Sequence, residues 1–343
     1  DTLVDWDLPM KNNVQVGWLS WPMLFIRQWR LPILFVISGI GTRFALSSRS
    51  AFQYIRERSF RLLLPLLTGI LLLVPPLVYL ERNIQGAVNA SFWSFYPEFF
   101  KGLYPEGNFS WHHLWFLAYL FLMSMMALPL FLRFRRSGNG LIAFFNRLIG
   151  LSPLSLYLIT IPLMIVHLTL ENRYPLSMNL QDDWFAFTYY LLCFIWGFIL
   201  SSIGEGSWKA MMNIRRYSLC LGAVLSIIVL TSIHKGENPA WIQMLKPVNT
   251  WSWIIAVFGY ASLYLNRESA TLKYRNTVVY PFYVIHFTIL IFLGYVLMNF
   301  RMHYAWKMVL MVIGTYGISF ILIEYVISRI NFIRPLFGLK RKS

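Results

Sequence analysis

"LPILFVISGIGTRFALSSRSAFQYIRERSFRLLLPLLTGILLLVPPLVYL", residues 31–80, sets two apolar runs on either side of a basic connection. The runs, 31–47 and 62–80, each approach the ~20 apolar residues that a helix needs to cross a bilayer. Between them, residues 43–61 carry Arg43, Arg49, Arg56, Arg58 and Arg61 against one acid, Glu57, for a net +4. Gly39 and Pro75-Pro76 interrupt the runs, which membrane helices tolerate when neighbours satisfy the freed backbone groups.

The pattern continues along the chain. Further apolar runs fall at 113–132, 151–170, 185–203, 217–233, 250–265, 278–299 and 306–328. Charged residues make up only 13% of the chain and hydrophobic residues 57%, where a soluble domain carries roughly 25% charged. The expected fold is an all-α polytopic transmembrane helical bundle of nine spans, one integral-membrane domain over 1–343. The longest connection, 81–112, looks too short for a core of its own. No internal repeat, low-complexity tract or Gly-rich phosphate loop is present. Cys193 and Cys220 lie in apolar spans and read as packing residues; no CxxC or other metal-binding pattern occurs.

The net charge of +16 could suggest nucleic acid, but its distribution gives a topology instead. Alternate connections total +17 on one side and 0 on the other, with Glu324 making up the difference. Basic loops stay inside, so the first set, with the C-terminus, is expected to face the cytoplasm of a bacterial inner membrane. No nucleic-acid partner is needed to explain the charge. Nine spans and an inner C-terminus put the N-terminus outside. The chain opens on Asp1 without a signal-peptide pattern, and a tenth span upstream is the economical expectation.

Ionisable groups within or beside spans are the functional candidates. In "YIRERSFRLLLP", 54–65, Arg58 and Arg61 share a helical face at i, i+3. Planar guanidiniums suit a phosphate, although snorkelling anchors carry the same residues. In "GNFSWHHLWFLAYLF", 107–121, Trp111 and Trp115 fit an interfacial aromatic belt. Adjacent histidines diverge by about 100° on a helix, so His112 and His113 make a poor metal pair. A general base or a substrate hydrogen-bonder fits better. In "YPFYVIHFTIL", 280–290, His286 follows Tyr283 by one turn. His167 resembles it nearer the outer end, and both also fit packed, hydrogen-bonded histidines. Glu324 is expected to be buried and paired with an Arg or His. Arg30 precedes Pro32 and Ser38-Gly39, as an anchor or substrate contact beside small residues that allow close helix approach.

Taken in order, these stretches resemble the membrane acyltransferase 3 family, near its glucan-modifying succinyltransferases. The likeness is strong over 18–130 and 275–295. Elsewhere it rests on span count. The resemblance implies that Arg58, Arg61 and Leu62 match an Arg-x-x-Arg-Leu motif handling the acyl donor, with Phe35, Ser38 and Gly39 matching F-x-x-SG. It also aligns His113 to Leu117 with a His-Leu-Trp-Phe-Leu motif, and Tyr283 and His286 with Tyr-x-x-His. The family's first helix carries an Arg and a His regarded as its prime catalytic residue; the first span here corresponds to the family's second.

The function so implied is transfer of an acetyl or succinyl group from cytoplasmic acyl-CoA to a glycan hydroxyl at the outer face. Arg58, Arg61 and Ser38 would bind the donor, while His113, His286 and Tyr283 would do the chemistry. Arg30, Trp111, His112 and Trp115 would meet the acceptor. No permanent cofactor or metal is expected. The rivals are a transporter or flippase with an intramembrane His/Glu relay, and a non-catalytic scaffold. Neither inverted repeats nor paired broken helices are evident.

Overall fold

A computed structural model describes residues 16–135 and 139–341, so the opening acidic stretch lies outside the described residues. Every named element is helical. Among the described residues, eight helices are long and apolar enough to cross a membrane: α1 (Gly17–Ser48), α2 (Ala51–Ile84), α3 (His112–Phe134), α5 (Pro153–Glu171), α6 (Trp184–Ile203), α7 (Glu205–His234), α9 (Ala270–Met298) and α10 (Tyr304–Ile327). A shorter apolar helix, α4 (Gly140–Leu151), precedes α5. The span expected at 250–265 forms α8 (Ala240–Tyr264), long enough to cross but without an apolar stretch like that of the other eight. Its polarity is accommodated internally, since Gln243, Asn249, Thr250 and Ser252 are all buried.

The chain divides into two compact units. Of the described residues, the first takes 16–20, Arg56–Phe121 and 268–341; the second takes Trp21–Ile55, 122–135 and 139–267.

In the second unit, the Ser38-Gly39 pair explains how α1 meets α6. An added Cβ on Gly39 would lie 2.0 Å from the Phe194 carbonyl oxygen, and one on Gly197 would lie 2.0 Å from that of Val36. Two backbones touch there without side chains between them. Phe35 stacks on Tyr190 beside this crossing at 4.7 Å, and Phe131 stacks on Phe198 at 4.1 Å. The Trp251 indole, fully buried, donates to the Leu156 carbonyl at 2.9 Å.

The first unit holds two corrections to the sequence reading. Residues 85–111 do build a core, an aromatic cap in which Phe95 and Phe99 are buried. Phe99 meets Phe109 at 5.8 Å, and the Tyr96 hydroxyl ties the cap to the Leu71 carbonyl at 3.0 Å. Aromatic density, rather than chain length, makes this possible: each ring buries a large area for few ordered bonds. Glu324 is exposed on α10, and its partner is neither Arg nor His. It accepts from the Tyr274 hydroxyl at 3.0 Å.

Among the described residues the regular α-helix opens into π turns at Ser59–Leu63, Gly69–Leu73, His167–Glu171 and Ile323–Ile327. The Gly69–Leu73 turn is wholly apolar; the other three carry a charged residue singled out above or its ion partner: Arg61, Glu171 and Glu324. Such turns leave backbone groups less regularly paired and recur at functional sites.

Candidate active site

The expected histidines and tyrosine meet in the first unit. His113 opens α3, and Tyr283 and His286 lie midway along α9. The Tyr283 hydroxyl donates to the His113 carbonyl at 2.6 Å. His113 Nε2 lies 3.1 Å from the Val284 carbonyl. A carbonyl only accepts, so Nε2 carries the proton and Nδ1 keeps its lone pair. That Nδ1 is buried and meets no hydrogen-bond partner among the described residues. The arrangement presents a neutral imidazole acceptor, held by side chain and backbone at once.

His286 is oriented by its own helix. Its Nδ1 lies 2.8 Å from the Tyr283 carbonyl and 3.1 Å from that of Phe282, which assigns the proton to Nδ1. Phe282 stacks on the ring at 5.4 Å. The His113 and His286 ring centroids are 5.6 Å apart and nearly perpendicular.

The two adjacent histidines do not diverge as a regular helix would require. Residues 112–114 form a 3-10 turn, and His112 sits in the left-handed region at φ 40°. That conformation costs a non-glycine residue roughly 1–2 kcal/mol. A bond from its own N–H to Ser110 Oγ at 3.0 Å helps to hold it. In consequence both rings approach Phe287, His113 at 4.8 Å and His112 at 6.3 Å. His112 therefore turns inward rather than facing headgroups, with a buried Nε2 that has no hydrogen-bond partner among the described residues.

Of the two tryptophans, Trp111 is half-buried, whereas Trp115 is buried and packs edge-on against Tyr119 at 4.9 Å. The belt reading does not hold for Trp115.

Sequence reasoning missed the frame around His112. The Tyr104 ring lies 5.5 Å from it, and the Tyr104 hydroxyl donates to Glu81 Oε1 at 3.1 Å. Burial, and then the Glu81 carboxylate, push the Tyr104 phenol up to about 12, so it is protonated and donating near neutral pH. Arg82 gathers the connection by donating to the Pro105 carbonyl at 2.6 Å, the Gly107 carbonyl at 2.7 Å and Asn108 Oδ1 at 3.1 Å. A Glu-Arg pair directly after an apolar run was the available signal.

The donor-side arginines are placed differently from their helical prediction. Arg58 ends a regular stretch and Arg61 falls in the π turn that follows. Arg58 is half-buried and Arg61 exposed, its guanidinium 3.7 Å from Glu57. Both act electrostatically on the Tyr280 phenol, whose hydroxyl donates to the Arg61 carbonyl. Ser38 and Arg30 belong to the second unit. The Ser38 hydroxyl bonds back to the Leu34 carbonyl at 2.8 Å, and Arg30 is exposed on α1.

Fold and site together define a multi-pass helical membrane protein with a half-buried cluster of histidine and tyrosine. Residues 6–324 match the family model described as an acyltransferase domain, and the chain belongs to that family, acyltransferase 3. It is similar to Glucans biosynthesis protein C of Escherichia coli O6:K15:H31 (strain 536 / UPEC), 25% identical over 296 residues, covering 81% of this chain and 73% of that protein. The proteins of the same name from E. coli O9:H4 (strain HS) and strain K12 / DH10B match with the same identity and coverage. No solved structure matches. The family makes this chain a membrane acyltransferase, which favours acyl transfer over transport.

Proposed function

We propose that the chain moves an acyl group, acetyl or succinyl, from acyl-CoA on the cytoplasmic side to a glycan hydroxyl at the outer face of a bacterial inner membrane. The observation that carries this reading is His113: a neutral imidazole with Nε2–H engaged, Nδ1 open, and its backbone clasped by Tyr283. The acceptor hydroxyl gives its proton to Nδ1 as its oxygen attacks the thioester carbonyl. The tetrahedral intermediate then expels the CoA thiolate, which takes the proton back from the imidazole. The new ester leaves on the glycan and CoA leaves as its thiol. A His base of this kind contributes about 10²–10⁴-fold.

The donor fits Arg58 and Arg61. Both guanidiniums act electrostatically on the Tyr280 phenol, and the Glu57 carboxylate, 3.7 Å away, competes for Arg61. An exposed pair of this type is worth about 0–1 kcal/mol, less than a charge-assisted phosphate contact. The glycan acceptor is supported by the printed name of the E. coli relatives.

The test is radiolabelled acyl-CoA given with a soluble glucan to the purified chain in nanodiscs, which expose both faces. Labelled glucan is expected, falling by about 10²–10⁴-fold in His113→Ala. Unlabelled glucan with the unsubstituted chain, or full labelling by the variant, would overturn the reading.

A further inference from the structure

In the second unit a cavity of about 280 Å³ is lined by residues of α1, α5, α6, α7 and α8. These are the helix ends that flank connections 172–183 and 235–239, on the side that the charge map leaves near neutral. Gln28 and His167 both line it. Gln28 Nε2 and His167 Nε2 are both buried without a hydrogen-bond partner among the described residues. His167 itself is only 6% exposed.

The hydrogen-bonding sense of each orphan atom is fixed by a chain of partners. Lys246 donates to Glu171 Oε1 at 2.5 Å, and Glu171 Oε2 lies 2.9 Å from His167 Nδ1. An ammonium only donates and a carboxylate only accepts, so His167 carries its proton on Nδ1 and offers a lone pair at Nε2. The Trp253 indole, which also only donates, gives its proton to Ser226 Oγ at 2.9 Å. Ser226 passes its own proton to Asn249 Oδ1 at 3.1 Å. That turns the Asn249 amide nitrogen toward Gln28 Oε1, to which it donates. Gln28 is left presenting a donor, Nε2–H. One cavity thus carries an acceptor and a donor, each locked in its sense.

A sugar satisfies both, because each of its several hydroxyls can donate or accept. The space exceeds a single water, whose share of liquid volume is about 30 Å³. Phe185 and Tyr189 add aromatic walls, suited to the apolar face of a ring. Lys246 and Glu171 offset each other, and Arg27, also in the lining, is a donor suited to further sugar oxygens. We infer that this cavity is a carbohydrate-binding site for one sugar ring, whose hydroxyls donate to His167 Nε2 and accept from Gln28 Nε2. Glu171 and Lys246 are its positioning residues. The site rests on the reading that the acceptor is a glycan, and it is separate from the His113 cluster in residues and unit.

The experiment uses the full chain in nanodiscs and methyl β-glucoside, with tetrahydropyran as the hydroxyl-free ring. Diethyl pyrocarbonate acylates an unprotonated imidazole nitrogen, and peptide mass spectrometry reads the modification at His167. The glucoside is expected to protect His167 saturably and tetrahydropyran to leave it reactive. Calorimetric affinity for the glucoside is expected to fall about tenfold or more in Gln28→Leu and in His167→Phe. Equal protection by both rings, or none by the glucoside, overturns the site without relying on any variant folding. Protection by the glucoside in a chain that transfers no acyl group overturns the catalytic reading while this site stands. Labelling of glucan at full rate in both variants, with His167 unprotected, overturns this site alone.

Discussion

Tyr283 and His113 are joined in both directions: the tyrosine hydroxyl holds the histidine backbone at 2.6 Å, and the histidine side chain returns to Val284, next along α9, at 3.1 Å. One bond alone would leave the imidazole free to pivot. Two fix where Nδ1 points. Tyr283→Phe removes one part-buried hydrogen bond, a cost of about 0.5–1.5 kcal/mol. The expected result is a chain that still inserts, melts a few degrees lower and transfers acyl groups about tenfold more slowly. His113→Ala, in the same assay, falls much further. Equal losses in the two variants would mean that the tyrosine acts on the chemistry directly.

The α1–α6 crossing gives a prediction with its own control. An alanine Cβ at Gly39 or Gly197 would meet backbone at 2.0 Å, whereas one at Gly41 meets nothing within 4 Å. Backbone cannot step aside as a side-chain end can, so overpacking here costs at least about 1–3 kcal/mol. Gly39→Ala and Gly197→Ala are expected to lower the melting temperature in detergent clearly, with Gly41→Ala near the parent. Fluorescence-detected size-exclusion after heating reads all three.

Much of this organisation was legible in the sequence, for a physical reason. A histidine or arginine inside an apolar run is conspicuous because the bilayer penalises it, and so His113, Tyr283, His286 and Arg61 stood out. The Lys246–Glu171 pair did not. Its partners lie 75 residues apart and resemble ordinary charges at the ends of spans. The convergence of His112 and His113 was hidden for another reason. Helical periodicity drives neighbours apart, and only the left-handed backbone at His112 reverses this. The aromatic cap over 85–111 escaped because connection length was weighed and ring content was not.

Arg82 supports a prediction about that cap. Its fork reaches two carbonyls and an amide oxygen within residues 105–108. A lysine keeps the charge but cannot span three acceptors from one planar group. Arg82→Lys is therefore expected to behave like Arg82→Ala, with faster proteolytic nicking between residues 101 and 109 and unchanged insertion. A lysine variant as resistant as the parent would show that charge, and not the fork, orders the connection.

The last prediction concerns the competition at Arg61. Glu57 stands 3.7 Å from its guanidinium across an exposed helical turn, so any phosphate drawn to Arg61 displaces or shares that carboxylate. Arg61→Ala removes a donor contact and is expected to raise the KM for acyl-CoA about tenfold, with a smaller change in kcat. Glu57→Gln removes the competitor and keeps the shape, so the KM should hold or fall by up to about fivefold, the value of a surface pair. Raising salt weakens both exposed contacts, and the advantage of Glu57→Gln over the parent is expected to shrink with ionic strength. A KM that rises in Glu57→Gln would reverse the assignment, making the Glu57–Arg61 pair a brace for the π turn in place of a rival for the donor's phosphates.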